Sequence, residues 1–156
     1  MAMGMTYVKS DSLSVVISDA VNPAAVEIDL GLGIDEAARI LGVGISVSPG
    51  AFVPGAGASR GEVAVSFDPE DTIQEPNSDE QFVYDVVCFN QFGAEYGAKT
   101  SEAIFHNFAG MNLVTTRNLA LILYGAVSNM TAASRIYYEK FKPSVTDLNQ
   151  LIATRR

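Results

Sequence analysis

The 156-residue chain has no tryptophan and only one cysteine and one histidine, and these absences exclude several kinds of functional site. Cys88 alone can form neither an internal disulfide nor a zinc cluster of thiolates. His106 alone cannot supply a histidine-rich metal site, and it has no recognisable nucleophile elbow beside it. We therefore predict a protein without enzymatic activity, without a resident metal ion and without a cofactor.

Basic residues are also scarce, and their scarcity limits the partners of this protein. Ten Lys and Arg stand against eighteen Asp and Glu, which gives a formal net charge of −8. Such a chain has no overall positive field to attract nucleic acid, so we expect no sequence-specific nucleic-acid binding. The longest apolar run, residues 119–127, has nine residues, whereas a membrane-spanning helix needs about 20. We expect no transmembrane segment.

Apolar residues, in contrast, make up 48% of the chain, and in many segments they recur at every second position. This alternation is typical of strands with one face in a core and the other in water. It is clearest in residues 12–18, 25–30, 43–47, 62–67 and 82–88. Further strands are expected at residues 103–108, 113–117, 119–126 and 134–141. The pattern predicts a single all-β domain over residues 1–156, built as an antiparallel sandwich of two sheets.

The same alternation predicts which side chains fill the core between the sheets. The side chains expected to point inward are Val26, Ile28, Val43, Ile45, Val63, Val65, Phe82, Tyr84, Val86, Leu121, Leu123 and Ile136. Helical periodicity occurs in only two places. Residues 35–41 (DEAARIL) predict one or two helical turns, and residues 145–154 predict a short C-terminal helix with Ser144 or Thr146 as its N-cap.

Two glycine-containing segments invite comparison with phosphate-binding loops. Gly31 and Gly33 follow a strand, as in a dinucleotide-binding fingerprint, but Glu36 occupies the place of the third glycine. We interpret that segment as a turn. Residues 49–61 lack the Gly-Lys-Ser/Thr end of a phosphate loop and predict a long inter-strand loop. Its tip carries Phe52 and Val53, which are candidates for contact with a partner.

A third loop, residues 68–80, carries six acidic side chains and no basic one. It offers enough oxygen ligands for a calcium ion, but it lacks the regular acidic spacing with which a short loop wraps calcium. The segment predicts a solvated acidic loop, with calcium binding as the alternative.

Charge is distributed unevenly along the chain. Residues 1–116 have a net charge of −12, whereas residues 117–156 have a net charge of +4. The basic side chains of the final segment that are candidates for assembly contacts are Arg135, Lys140, Lys142, Arg155 and Arg156. An acidic body and a basic end favour head-to-tail contact between copies, and they are equally compatible with a monomer that has a solvated tail.

The layout of residues 25–47 (AVEIDLGLGIDEAARILGVGISV) and 119–141 (LALILYGAVSNMTAASRIYYEKF) resembles that of a single jelly-roll capsid protein of an icosahedral virus. The first segment predicts two strands with a short connection. The second predicts two closing strands with a tight turn at Ser128 and Asn129. The resemblance implies a non-enzymatic subunit of the virion, whose partners are copies of itself and other capsid proteins. The chain departs from many such proteins because it lacks a basic N-terminal arm.

A ligand-binding or carbohydrate-binding β-sandwich is the alternative interpretation, since such modules also carry loops on a rigid scaffold. Sugars commonly stack on exposed aromatic rings, and the chain has no tryptophan for this purpose. The aromatic residues expected in loops are Phe52, Phe92 and Tyr96. The sequence therefore favours a shell subunit and leaves a binding module open.

Overall fold

Ten strands account for most of the chain that the computed structural model describes, which comprises residues 5–15, 24–49, 58–67, 81–92, 95–96, 103–125 and 130–147. The strands are β1 (Thr6–Val15), β2 (Ala24–Ile28), β3 (Ala37–Pro49), β4 (Ala58–Ser66), β5 (Gln81–Phe92), β6 (Glu95–Tyr96), β7 (Ala103–Asn107), β8 (Leu113–Thr115), β9 (Leu119–Gly125) and β10 (Met130–Phe141). Nine of them coincide at least in part with the nine strand segments expected from the sequence, and β6 is the addition.

The strands pair as a long antiparallel ribbon that is rolled into two sheets. β1 pairs with β10, β2 with β9, β3 with β7 and β8, and β4 with β5. The ribbon rolls up because β10 also pairs with β3, and β9 with β4. The first sheet therefore has the order β1-β10-β3-β7, with β8 on β3, and the second has the order β2-β9-β4-β5-β6. This strand order is that of a single jelly roll, and it confirms the predicted all-β fold class.

The core lies between the two sheets and is filled by alternate residues of the strands. Most of the side chains predicted to point inward are buried there, and Val26 and Phe82 are partly buried against them. β9 is buried on both faces, because Leu119, Leu121 and Leu123 face the core while Ala120 and Ile122 belong to a second cluster on the opposite face. This double burial explains why residues 119–125 are almost continuously apolar.

The prediction that Tyr84 belongs to the core is wrong, because a β-bulge in β5 reverses the alternation. Val65 pairs with Val83 and Ser66 with Gln81, so Phe82 is an extra residue that has no partner on β4. Val83 is consequently buried in the core, and Tyr84 points to the opposite face with 41% of its surface exposed. The side chain of Val86 lies outside the described part of the molecule.

The predicted helical turns at residues 35–41 are also absent, because most of that segment belongs to β3. Only Ile34 and Asp35 form a turn, which is closed by a hydrogen bond from Glu36 N to Gly33 O of 3.1 Å. Ala38 and Ile40 then point into the core. The pairing of this segment with β10 on one side and β8 on the other outweighs its local helix propensity.

The structure of the last segment agrees more closely with the prediction from the sequence. β9 and β10 both form, but they lie in different sheets, and the turn predicted at Ser128 and Asn129 falls outside the described residues. Residues 145–147 are helical, and Ser144 is the N-cap, since its Oγ accepts a hydrogen bond of 3.2 Å from Asp147 N. Residues 148–154 of the predicted helix are outside the described part.

A pair of aspartate substitutions tests the direction of these side chains. Leu121→Asp should leave little soluble protein, because an unpaired buried charge costs several kcal/mol and a domain commonly has only about 5–15 kcal/mol of stability. Tyr84→Asp places the same charge on the exposed face of β5, and we expect a folded, soluble protein. Soluble yield and thermal unfolding measure both. Equal damage by the two substitutions would contradict the reversed alternation in β5.

Candidate functional site

The described residues contain no metal-binding cluster, and a sequence match to a catalytic motif lies within a strand. They include no group of three or more His, Cys, Asp and Glu side chains that could hold a metal ion. Residues 57–61 (GASRG) match the pattern of a nucleophile elbow, but Ser59 lies inside β4, opposite Phe89 of β5, whereas an elbow needs a turn from strand to helix. None of the helical residues in the described ranges forms a helix long and apolar enough to cross a membrane.

His106 joins the two sheets. It lies on β7 in the first sheet, and its Nε2–H donates a hydrogen bond of 2.6 Å to Asp85 Oδ2 on β5 in the second. The imidazole also stacks against the ring of Phe108, with 6.3 Å between the ring centroids. Both members of the pair are largely buried, so the pair stabilises the contact between the two sheets at the side where β5 and β7 lie.

A groove lies on the outer face of the first sheet. The strand register brings Ser10, Arg135, Gly44 and Phe105 into one row across four strands. The groove has a volume of about 550 Å³. We call it the sheet-face groove and define it by the outward-facing residues that line it: Ser10, Ser12, Gly44, Ser46, Phe105, Ala133, Arg135 and Tyr137.

Two glycines of β3 make this groove possible. A Cβ atom at Gly42 would lie 2.3 Å from Phe105 Cζ, so the absence of a side chain there lets the phenyl ring lie across the backbone. The ring meets Tyr137 edge to face, with 5.8 Å between the centroids and 77° between the planes. Gly44 forms the floor, because a Cβ atom there would meet its neighbours only at ordinary contact distances of 3.8–3.9 Å.

Arg135 is the exposed cation of the groove. No described side chain forms a hydrogen bond or an ion pair with it. Arg39, which lies farther along the same face, is fully engaged: it is 2.7 Å from Glu139 Oε1 and 3.1 Å from Asn112 Oδ1, and it stacks over the ring of Phe141. The guanidinium of Arg135 therefore remains available to a ligand, unlike that of Arg39.

The two predicted contact lysines lie at a different place from Arg135. Lys140 is half buried, and its ammonium donates a hydrogen bond of 2.8 Å to Gly31 O and lies 4.8 Å from the centre of the Tyr7 ring. Gly31 adopts a left-handed φ of 63° in the turn predicted for that segment. Lys140 thus connects β10 to the turn after β2, and both contacts of its ammonium group are within the subunit.

Lys142 is exposed and forms an ion pair of 3.0 Å with Asp35. The hydrogen bond and the charge of Lys142 lower the pKa of Asp35, and those of Asp35 raise the pKa of Lys142. Two exposed apolar side chains adjoin the pair in sequence: Ile34 is 101% exposed and Val145 is 76% exposed. We refer to Ile34, Asp35, Lys142 and Val145 as the tail patch.

Several residues predicted from the sequence to make contacts fall outside the described part of the chain. These are Phe52, Val53, Arg155, Arg156 and the acidic loop 68–80. Two aromatic residues expected in loops, Phe92 and Tyr96, instead belong to the paired strands β5 and β6. The aromatic residues Phe105 and Tyr137 of the groove were not predicted as site residues, although the alternation of Gly42 and Gly44 with Val43 and Ile45 signals a close approach over β3.

Asp11 is a second feature that the sequence did not reveal. It lies on the inward face of β1, directly opposite Ser134 of β10. Asp11 Oδ2 and Ser134 Oγ are both buried without a hydrogen-bond partner. Burial raises the pKa of Asp11 above its ordinary value of 3.8, although the nearby Lys9 opposes this effect.

No family model and no curated protein matches the sequence. A chain of Desmodium yellow mottle tymovirus is similar in structure, with a TM-score of 0.39, 8% identity and coverage of 93% of both chains. A chain of turnip yellow mosaic virus has a TM-score of 0.37 and 8% identity over 93% of this chain and 99% of that chain. The BFDV capsid protein, solved as a decamer, has a TM-score of 0.36 and 11% identity over 89% and 99%. All three TM-scores lie below 0.5, so the assignment of the chain as a jelly roll depends on its own strand order.

Removal of the histidine should weaken the contact between the sheets. We expect His106→Ala to lower the free energy of unfolding by about 1–3 kcal/mol, because Asp85 then loses its partner in a largely buried position. Chemical denaturation of His106→Ala, Asp85→Asn and the double variant gives the coupling between the two side chains. If the losses in the free energy of unfolding of the two single variants add up to the loss of the double variant, this result would contradict a stabilising link between the sheets.

Asp11→Asn should stabilise the protein at neutral pH. Because the pKa of Asp11 is raised in the folded protein, its ionised form costs stability, and that cost appears as the pH rises through the folded pKa. The variant should therefore unfold at a higher temperature than the wild type near pH 7, and the difference should narrow as the pH falls. Thermal unfolding from about pH 3 to about pH 7 measures this difference. A gain that is constant across this range would contradict the proposed cost of ionisation.

Proposed function

We propose that this protein is a structural subunit of a viral shell that assembles with copies of itself and with other capsid proteins in the virion, and that it has no catalytic activity. The observation that carries the proposal is the single jelly-roll strand order, which takes up nearly all of the described residues. A fold by itself does not determine function, so the surface of the subunit must also offer contacts between copies.

The tail patch is such a surface. It combines two exposed apolar side chains with a charged pair, and subunit interfaces commonly have an apolar centre within a polar rim. Because the pair of Lys142 and Asp35 is exposed, Lys142 can exchange its partner for an acidic side chain of a neighbouring copy. Arg155 and Arg156 follow in the same basic segment and remain candidates for this contact, as do Phe52 and Val53 in another loop.

The uneven charge of the chain supports the same proposal. The acidic body and the basic final segment give one subunit two unlike surfaces. Unlike surfaces pair head to tail, and contacts of this kind continue from copy to copy until a ring or a closed lattice forms, whereas a self-complementary surface ends at a dimer. A shell repeats each weak contact many times, so small contributions accumulate.

Substitution of the exposed apolar residues tests the tail patch. Ile34→Ser combined with Val145→Ser should leave the stability of the subunit within about 0.5 kcal/mol of the wild type, because both side chains are exposed. We expect sedimentation velocity to show large particles for the wild type and mainly free subunits for this variant.

Val8→Ser is the matched control, because Val8 is also exposed but lies on the outer face of the first sheet. It should assemble as the wild type does. A wild-type protein that stays monomeric at every salt concentration would contradict the proposed function. Normal particles from the Ile34 and Val145 variant would remove the tail patch from the contact.

A further inference from the structure

The sheet-face groove has the chemical features of a ligand site. Its volume of about 550 Å³ lies within the range of about 300–1,000 Å³ that is typical of small-molecule sites. The floor is open at Gly44, so a ligand can approach the backbone of β3 closely. The groove shares no residue with the tail patch, and the inference that follows does not depend on the proposed function.

Arg135 determines the charge of the ligand. It is an exposed guanidinium without a described partner, and its planar group pairs with a carboxylate or a phosphate through two parallel hydrogen bonds. It is the single cation among the residues that line the groove, and it therefore matches the one negative charge of a carboxylate better than the nearly two charges of a phosphate. The one acidic residue of the lining, Asp11, lies on the inward face of β1. A polyanion such as nucleic acid requires several cations in a row, and the net charge of −8 opposes it. The groove therefore favours a small ligand with one carboxylate.

The two ends of the groove differ in chemistry. At one end, Phe105 is 59% exposed and meets Tyr137 edge to face, which offers an aromatic surface to an apolar ring face. At the other end, the hydroxyl groups of Ser12 and Ser46 have no described hydrogen-bond partner, and Ala133 between them leaves space above the sheet. The groove thus combines an aromatic surface, two hydroxyl groups and an arginine that can bind a carboxylate. One ligand that has an apolar ring face, hydroxyl groups and a carboxylate would contact all three.

We propose that the sheet-face groove binds an acidic sugar, a monosaccharide unit that carries a carboxylate. The carboxylate pairs with Arg135, the apolar face of the sugar ring packs on Phe105, and the ring hydroxyls form hydrogen bonds with Ser12 and Ser46. A neutral sugar cannot pair with Arg135, and a simple carboxylate lacks the ring face and the hydroxyl groups that contact Phe105 and the two serines.

The test compares methyl glucuronide with methyl glucoside, which differ only in whether carbon 6, the carbon outside the ring, belongs to a carboxylate or to a hydroxymethyl group. Binding to the full chain is followed by NMR titration, with acetate as a third probe. We expect the glucuronide to bind about tenfold more tightly than the glucoside, since each 1.4 kcal/mol of a charge-assisted contact corresponds to a factor of ten. Acetate should bind more weakly than the glucuronide.

Two variants and one control locate the binding. Arg135→Gln should remove the preference for the glucuronide, and Gly44→Leu should fill the groove and abolish binding of both sugars. Ser14→Ala is the control, because Ser14 lies on the same face but bonds Thr131 outside the lining. Arg135 is exposed, so its variant tests the proposal even if the glycine variant fails to fold.

Several outcomes would overturn the proposal. Equal affinity for the two glycosides, unchanged binding by Arg135→Gln, or no measurable binding at tens of millimolar would each do so. Acetate that binds as tightly as the glucuronide would also overturn it, because the groove would then recognise a carboxylate alone. If the NMR signals of the groove residues changed with protein concentration and did not change with added sugar, a second copy of the protein would be the occupant of the groove.

Discussion

The position of β10 between β1 and β3 is the constraint on which the rest of the structure depends. Along its length β10 forms ladders with both neighbours, and these ladders join the first and third strands to the last. The inward residues Ile136 and Tyr138 fill the core, and Tyr138 also donates a buried hydrogen bond of 2.9 Å to Leu30 O. Because every one of these contacts is long-range, the jelly roll forms only when the two ends of the chain meet.

β10 also positions both surfaces for which we propose a role. Its outward residues Arg135 and Tyr137 contribute the cation and one aromatic ring of the sheet-face groove. A bulge between Tyr137 and Tyr138 shifts the register, so the strand continues to Lys140, which fastens it to the turn after β2. The tail patch begins two residues later. A single strand thus contributes to the core and to the groove and leads to the tail patch, which explains why Arg135, Lys140 and Lys142 have different surroundings although they are close in sequence.

Local alternation predicted the strands and most of the core, because burial on one face imposes a period of two on any half-buried strand. The alternation gave wrong predictions where pairing with another strand changed the local backbone structure. The bulge at Phe82 reversed the alternation and exposed Tyr84, and pairing on both sides turned residues 37–41 into a strand. The groove could not be predicted, since Ser10, Gly44 and Arg135 become neighbours only through the register of three distant strands. The same holds for Asp85 and His106, which meet across the two sheets.

Electron microscopy of the purified wild-type protein tests the central claim most directly, that this jelly roll is a subunit of a shell. We expect closed particles of uniform size at a suitable salt concentration, with density for the tail patch at the boundary between adjacent subunits. Isolated subunits at every protein and salt concentration, with no closed particles, would contradict it.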